Sequence, residues 1–576
     1  MTWLSVLWLV LAAAGAGGAG GGGESSDTAA APETRGQRVE ALLASMSLEQ
    51  KVGQLMMVGF GGKEMGPGIE RLLTDFHVGS VALYSRNVRS PQQVSELIRG
   101  LRRAMADEIQ PFVAIDQEGG NVVRVRSEVA VLPGTMTLGA TRDPVLAFLA
   151  GQSHAIDLRL LGFDMNLAPV LDINHNPRNP VINVRAFGDS PELVAQLGVA
   201  FVRGQQAAGL ATVAKHFPGH GTTEHDSHFA LPRIQLPRET LLATELLPFQ
   251  RAIDAGLDAL MTAHVQVPAV DPDGTPASLS RRLIGELLRG RLGFDGLVIT
   301  DDLEMRAISE TRGVGPAAVQ AVQAGADIVM VIWTPRRKRE VFESLLQAAR
   351  SGTIPAARLD ASVRRILRLK ARRGTLDRDC RGGEDAFAYL PNAYHQQVAR
   401  TIAVRGLTLV ANQRSLLPLC TGRGVLVATP YRLFGREMAR LLPGSEVLSL
   451  RLVSSRRQRQ RELERVAARA RDQRLVVIAA GNVYQAWLIQ QLTRRLDKPV
   501  VAVSFGSPYL LRHFPQVAGY LCTYSYLPVA QRAAAQALTG HQSITGKLPV
   551  SLSTRYRRGH GLTVQRNACA RSTAAR

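Results

Sequence analysis

Eight short apolar runs, each followed by a stretch of helical period or a polar loop, constrain the fold of this chain more than any other feature. They occupy 54–60, 78–84, 111–115, 164–171, 211–214, 259–265, 297–300 and 326–333. Amphipathic helical patterns at 92–105, 144–161, 191–208 and 238–255 lie between them. Eight strand–helix units within residues 35–375 predict a (β/α)8 barrel of the TIM type. At 576 residues the chain is too long for one hydrophobic core, so a second domain is expected.

Composition changes to Arg, Gly, Asp and Pro around 371–393, and 376–394 reads as a linker. Beyond it, uniformly apolar runs at 407–411, 424–429, 475–480, 500–504 and 519–524 predict a smaller α/β sandwich domain over 395–555 with a buried parallel sheet. Gly481 and Gly506 follow strands without GxGxxG spacing, so no nucleotide site is expected. The basic tail, 556–576, reads as disordered.

Polar residues gather just after the predicted strands, where barrels of this kind place their active sites. Asp116 follows the third run, Asp172 and Asn174 the fourth, Lys215 and His216 the fifth, and Asp301 and Asp302 the seventh, while His264 lies within the end of the sixth. Any one Asp can be explained as a helix N-cap; together they point to a common mouth. The densest cluster is KHFPGHGTTEHDSH, from Lys215 to His228, with four histidines and Asp226 two residues before His228. So many polar side chains on one loop need partners. A carboxylate beside an imidazole fixes its tautomer and raises its basicity.

The net charge of +21 comes mostly from arginine, including Arg456, Arg457, Arg459 and Arg461 on a predicted exposed helix and Arg555, Arg557 and Arg558 near the C-terminus. It fits attraction to an anionic polymer or membrane, or simply solvated faces. No nucleic-acid recognition motif accompanies it. Cys380, Cys420, Cys522 and Cys569 show no metal spacing, and both disulfides and free thiols remain open for them. Trp3 to Ala14 is apolar apart from Ser5 and precedes an A-x-A site and a Gly/Ala-rich linker, so 1–34 resembles a signal segment. No Lys or Arg precedes it. Export is expected, to the periplasm or beyond the cell, with cleavage or peripheral and signal-anchor membrane association both open.

These residues resemble glycoside hydrolase family 3, in its β-N-acetylglucosaminidase branch. KHFPGHG followed by four residues and DSH is similar to the family signature. DQEGGNVVR (116–124), NPRNPVINVRAFG (176–188) and VITDDLEM (298–305) resemble three further family segments in the same order. GKLPV at 546–550 is similar to the end of the second domain of longer members. Asn121 stands where the family usually has Arg, Ala186 where Ser is common, and Thr222 at a variable position.

The resemblance implies that Asp301 is the nucleophile, His228 the general acid/base and Asp226 its orienting partner. It implies that Asp116, Arg124, Arg185, Lys215 and His216 bind the sugar of the first subsite, with no metal or organic cofactor. It further implies retaining removal of terminal GlcNAc from wall-derived muropeptides or chitin oligosaccharides. A retaining enzyme needs a carboxylate at the anomeric carbon and an acid at the leaving oxygen. An imidazole with an unperturbed pKa of about 6.5 suits the second task. Once deprotonated it is neutral and repels an incoming anion less than a carboxylate would, so phosphorolysis is the second expectation after hydrolysis. Two rivals stand beside these: a metal-dependent barrel hydrolase recruiting His216, His220, His225, His228, His264 and Asp301, and a non-catalytic glycan-binding protein on a retained barrel.

Overall fold

In the computed structural model, which describes residues 34–105, 109–227, 229–377, 384–451, 455–566 and 569, every one of the eight runs contains a strand. These are β1 (Met56–Val58), β2 (Ser80–Leu83), β3 (Phe112–Ile115), β4 (Met165–Asn166), β5 (Ala211–Phe217), β6 (Ala259–Thr262), β7 (Leu297–Asp302) and β8 (Ile328–Val331). They pair in chain order into a closed parallel barrel, with Met57 of β1 opposite Met330 of β8.

The returning helices start where local chemistry dictates. Ser90, Asp143 and Ser190 each accept hydrogen bonds from the first turn of Pro91–Arg103, Pro144–Leu160 and Pro191–Ala207, and each of these helices carries Pro at its start. Helices Pro144–Leu160 and Pro191–Ala207 press backbone to backbone. A Cβ on Gly151 would lie 2.2 Å from the Phe201 carbonyl, and one on Gly204 would lie 2.1 Å from that of Phe148. Only glycine permits that approach.

The structure departs from the expected elements at places that shape the mouth. The fourth run pairs as a regular strand only over Met165–Asn166, because Pro169 has no N–H for the ladder; Val170 rejoins through a bridge to Lys215. β5 runs on past Ala214 to Phe217, with a register shift against β6 between Lys215 and Phe217, so Lys215 and His216 belong to the strand end rather than to the loop. β7 likewise extends to Asp302, which carries Asp301 on the strand. His264 lies two residues beyond the end of β6. The helix expected over 238–255 splits into Arg238–Ala243 and Leu247–Asp254, since Pro248 cannot sit inside a helix and instead begins a new one.

The second domain is a six-stranded sheet in the order β11-β10-β12-β13-β14-β9. Its strands are β9 (Thr408–Asn412), β10 (Val425–Thr429), β11 (Glu446–Ser449), β12 (Leu475–Ala480), β13 (Val500–Ser504) and β14 (Gly519–Cys522). Five run parallel, but β9 pairs antiparallel with β14, so the sheet is mixed. β11 escapes sequence reading because it is an edge strand, largely open to solvent and without a continuous apolar run. GKLPV stitches the domains together: Lys547 N–H donates to the Ala140 carbonyl at 3.0 Å, and the Pro549 carbonyl accepts from Asp189 N–H at 3.1 Å.

The basic tail is not disordered through its described part. Leu562 bridges to Leu409 and Val564 to Ile544, while Cys569 is disulfide-bonded to Cys420. Backbone pairing outweighs its polar composition. Cys522 is a buried free thiol, and Cys380 lies outside the described residues. Among the described residues no helix is long and apolar enough to cross a membrane, and the segment from Trp3 to Ala14 lies outside them.

Candidate active site

An ionic cluster floors the barrel mouth. Lys215 Nζ, at the end of β5, lies 2.8 Å from Asp116 Oδ1 and 2.7 Å from Glu118 Oε1. Arg185 clamps Glu118 with two donors, Nε at 2.9 Å and Nη2 at 2.8 Å. Arg124 Nη2 donates to Asp116 Oδ2 at 3.2 Å. The turn after β3 makes this closure. Gly119 and Gly120 take φ values of +91° and +59°, and Gly119 and Val122 bond back to each other, so the chain doubles back. Gln117 Oε1 then accepts from the Arg124 and Val125 N–H groups.

Burial alone would push Glu118 up, but Arg185 and Lys215 outweigh it and hold the carboxyl well below its usual range. Asp116 is lowered in the same way, with burial overcome by Lys215 and Arg124. Burial would lower the Lys215 ammonium, but Asp116 and Glu118 raise it instead. The cluster therefore stays fully ionised near neutrality. Among the described residues Arg124 Nε is buried without a hydrogen-bond partner.

A second cluster fixes the histidine loop. His216 Nδ1 donates to Asp172 Oδ2 at 2.6 Å, and Asp172 Oδ1 accepts from the His220 N–H at 2.8 Å. The His220 ring is held between Thr223 Oγ1 at 2.8 Å and Ser227 Oγ at 3.0 Å. Burial lowers its pKa despite Asp172, which favours a neutral ring. Asn179 Nδ2 props the loop from beneath through the His220 and Thr223 carbonyls at 2.8 and 3.0 Å. Asp226 is half-buried, its carbonyl accepting from Phe229 and Ala230 N–H groups. His228 lies outside the described residues.

Asp301 projects from the end of β7 between these clusters. Its charge is felt by Tyr84 at the end of β2 and by His220 on the other side. The Asp302 N–H donates to Asp301 Oδ1 at 2.8 Å. His264 backs this strand end, with Nε2 donating to the Asp302 carbonyl at 3.0 Å and Nδ1 lying 2.7 Å from Ser278 Oγ. Among the described residues no group of three or more His, Cys, Asp or Glu is arranged to hold a metal ion.

Burial, helped by Glu304 and Asp301, pushes Asp302 up to about 7. Its folded pKa thus exceeds the unfolded value of about 3.9, and the folded protein keeps the proton while the unfolded chain releases it. This contribution to stability is present below about pH 4 and is lost as pH rises towards 7. Asp302→Asn removes the titration. Its stability relative to wild type should rise by about 2–4 kcal/mol between pH 4 and pH 8, measured by denaturant unfolding. An unchanged difference across that range would refute the shift.

Asp116, Arg124, Arg185 and Lys215 come together in one cluster, and His216 anchors the neighbouring one. Glu118 and Asp172 are the hubs of these clusters and were not among the residues predicted to bind sugar. Glu118 lies inside DQEGG and Asp172 at a strand end, so both carried the positional signal. Tyr84, under the guanidinium of Arg124 at 5.3 Å, was marked only as the last residue of an apolar run.

Paired carboxylates and cations lining a preformed mouth suit a polyhydroxylated ligand. The family model described as the glycosyl hydrolase family 3 N terminal domain matches residues 47–369, more than half of the chain, and the chain belongs to glycoside hydrolase family 3. β-Hexosaminidase A of Pseudoalteromonas piscicida is 34% identical over 377 residues, which is 61% of this chain and 62% of that protein. The chain thus spans less than two thirds of that relative's length. The structure of a family 3 β-N-acetylglucosaminidase from Paenibacillus sp. str. FPU-7 is 39% identical, with a TM-score of 0.83 over 88% of this chain and 99% of that one. A β-glucoside phosphorylase structure is 26% identical, with a TM-score of 0.79 over 90% of this chain and 96% of its own.

Proposed function

We propose that this chain is a retaining exo-β-N-acetylglucosaminidase that removes terminal, non-reducing β-linked GlcNAc by double displacement. The observation that carries the reading is Asp301, rigid on a barrel strand beside a preassembled ionic floor. Likeness to a β-hexosaminidase and to a β-N-acetylglucosaminidase supports the sugar identity. In this reading Asp116, Arg124, Lys215 and His216 hold the sugar hydroxyls, and Arg185 fixes the floor through Glu118. Asp301 attacks the anomeric carbon while His228 protonates the leaving oxygen. Water activated by His228 then releases the sugar with its configuration retained. Asp226 orients His228.

His228→Ala should lower kcat/KM on a substrate with a poor leaving group by ~10²–10⁴-fold, the usual worth of a positioned acid/base. Asp226→Ala should lose less, because the ring remains and only its orientation is relaxed. Equal activity of His228→Ala and wild type on such a substrate would reject the acid/base role.

Phosphorolysis is the second reading, favoured by the likeness to a β-glucoside phosphorylase. One assay tests both: nitrophenol release from 4-nitrophenyl β-N-acetylglucosaminide with and without phosphate, with the sugar product identified. Free GlcNAc in both buffers supports hydrolysis, and a sugar 1-phosphate supports the phosphorylase. Sugar binding without turnover in either buffer would favour a glycan-binding protein. The Cys420–Cys569 disulfide is consistent with the exported location inferred from the N-terminal segment, since disulfides persist in oxidising compartments. There the substrates would be wall-derived muropeptides or chitin oligosaccharides.

A further inference from the structure

The second domain reaches the barrel mouth through Tyr509. This residue lies in the 3-10 turn Pro508–His513, which follows β13. The start of that turn is fixed to the sheet. Ser504 Oγ, at the end of β13, donates to the Ser507 carbonyl at 2.9 Å, and Tyr520 Oη, from β14, donates to the Pro508 carbonyl at 2.9 Å. The Tyr509 ring is buried in the same apolar cluster as Leu510 and Tyr520. Across the domain boundary, Asn174 Nδ2 donates to Tyr509 Oη at 2.9 Å. Asn174 is wholly buried, and among the described residues its Oδ1 has no hydrogen-bond partner, so its amide is held by the tyrosine. Burial pushes the Tyr509 phenol up, which keeps it a neutral hydroxyl.

Asn174 sits in the middle of the segment, 172–176, on which the histidine loop is laid. Before it, Asp172 accepts from the His220 N–H at 2.8 Å. The Ile173 carbonyl presses so closely on Gly221 that a Cβ there would lie 1.7 Å from its oxygen. After it, His175 Nδ1 lies 2.7 Å from Glu245 Oε1, and the Glu245 side chain backs Gly219. The Asn176 N–H donates to the Gly221 carbonyl at 3.2 Å, and Asn176 Nδ2 to that of Thr223 at 3.3 Å. Every residue flanking Asn174 in this segment therefore meets the histidine loop or the group behind it. Asn174 itself turns the other way, to the second domain.

We propose that Tyr509 is a positioning residue for the reaction: by holding Asn174 it fixes the segment 172–176 and, through it, the pose of the histidine loop. The inference rests on the glycosidase reading, in which this loop brings an acid to the leaving oxygen. It gives the second domain a part in bond cleavage without contact with the sugar. Proton transfer depends on placement of the acid to within hydrogen-bond reach. The need for that proton grows with the basicity of the leaving group, so a loosened loop should show as a loss confined to poor leaving groups.

Tyr509→Phe tests it, since it keeps the ring and removes only the hydroxyl. On a disaccharide with a terminal β-GlcNAc, whose leaving sugar needs a proton, kcat/KM should fall about fivefold or more, the worth of one hydrogen bond. On 4-nitrophenyl β-N-acetylglucosaminide, whose leaving group departs with little help, it should fall less than about twofold. Asn174→Ala should give the same split, and the double variant should lose no more than Asn174→Ala alone. Equal losses on both substrates, no loss on either, or additive losses in the double variant overturn the proposal; a residue that only glues the domains would lower the unfolding midpoint without the split. Deuterium exchange reads the tether without turnover. Peptides covering 172–176 and 216–223 should exchange about fivefold faster in Tyr509→Phe, with those of β1 to β3 unchanged. If wild type cleaves no glycoside, the activity reading fails; faster exchange confined to these two segments still supports the tether, and unchanged exchange overturns it.

Discussion

Asp301→Ala should lose at least about 10⁴-fold in turnover while its affinity for substrate stays measurable. The substitution removes the one carboxylate that the seventh strand presents to the centre of the mouth. It removes the local bond from Asp302 N–H but leaves two other contacts of the strand end in place: Thr300 Oγ1 still accepts from Met330 N–H at 3.1 Å, and His264 still donates to the Asp302 carbonyl at 3.0 Å. The ionic floor centred on Lys215 is paired through Asp116 and Glu118. Loss of rate should therefore come without loss of fold, seen as an unchanged unfolding midpoint and near-normal calorimetric binding. Activity within tenfold of wild type would remove Asp301 from the chemistry.

Lys215→Ala should be the most damaging change to the floor. One ammonium, 3% exposed, matches two carboxylates that are themselves almost wholly inside. Its removal leaves Asp116 with Arg124 alone and Glu118 with Arg185 alone, and opens a void at the end of β5. Breaking a buried ionic contact of this kind costs about 3–5 kcal/mol. The sign with pH follows from the lowered carboxyls. Asp116 and Glu118 sit below their unfolded values, so their contribution is present above about pH 4 and is lost as pH falls through their folded values. The deficit of Lys215→Ala should accordingly shrink on acidification. Denaturant unfolding at pH 7 and about pH 3 measures both points. A deficit below about 1 kcal/mol at pH 7, or one that grows at about pH 3, would contradict the account.

The barrel was legible because its strands are short and apolar between amphipathic helices. Where the reading failed, a local rule explains why. Pro169 and Pro248 interrupted elements drawn through them, and Lys215 and His216 lie on a strand although their polarity marked them as loop. The edge strand Glu446–Ser449 carries too little apolar character to stand out. In the site, motif residues announced themselves but their pairing did not. Glu118 meets Arg185 across 67 positions, and Asp116 meets Lys215 across 99.

Trapping the covalent intermediate tests the central claim most directly. Wild-type protein would be incubated with a 5-fluoro glycosyl fluoride of GlcNAc, which forms the glycosyl-enzyme faster than it breaks down, then digested and mapped by mass spectrometry. The account predicts one added sugar on the peptide carrying Asp301, with turnover falling in step with labelling. Labelling of another carboxylate, or turnover with inverted configuration and no adduct, would contradict it.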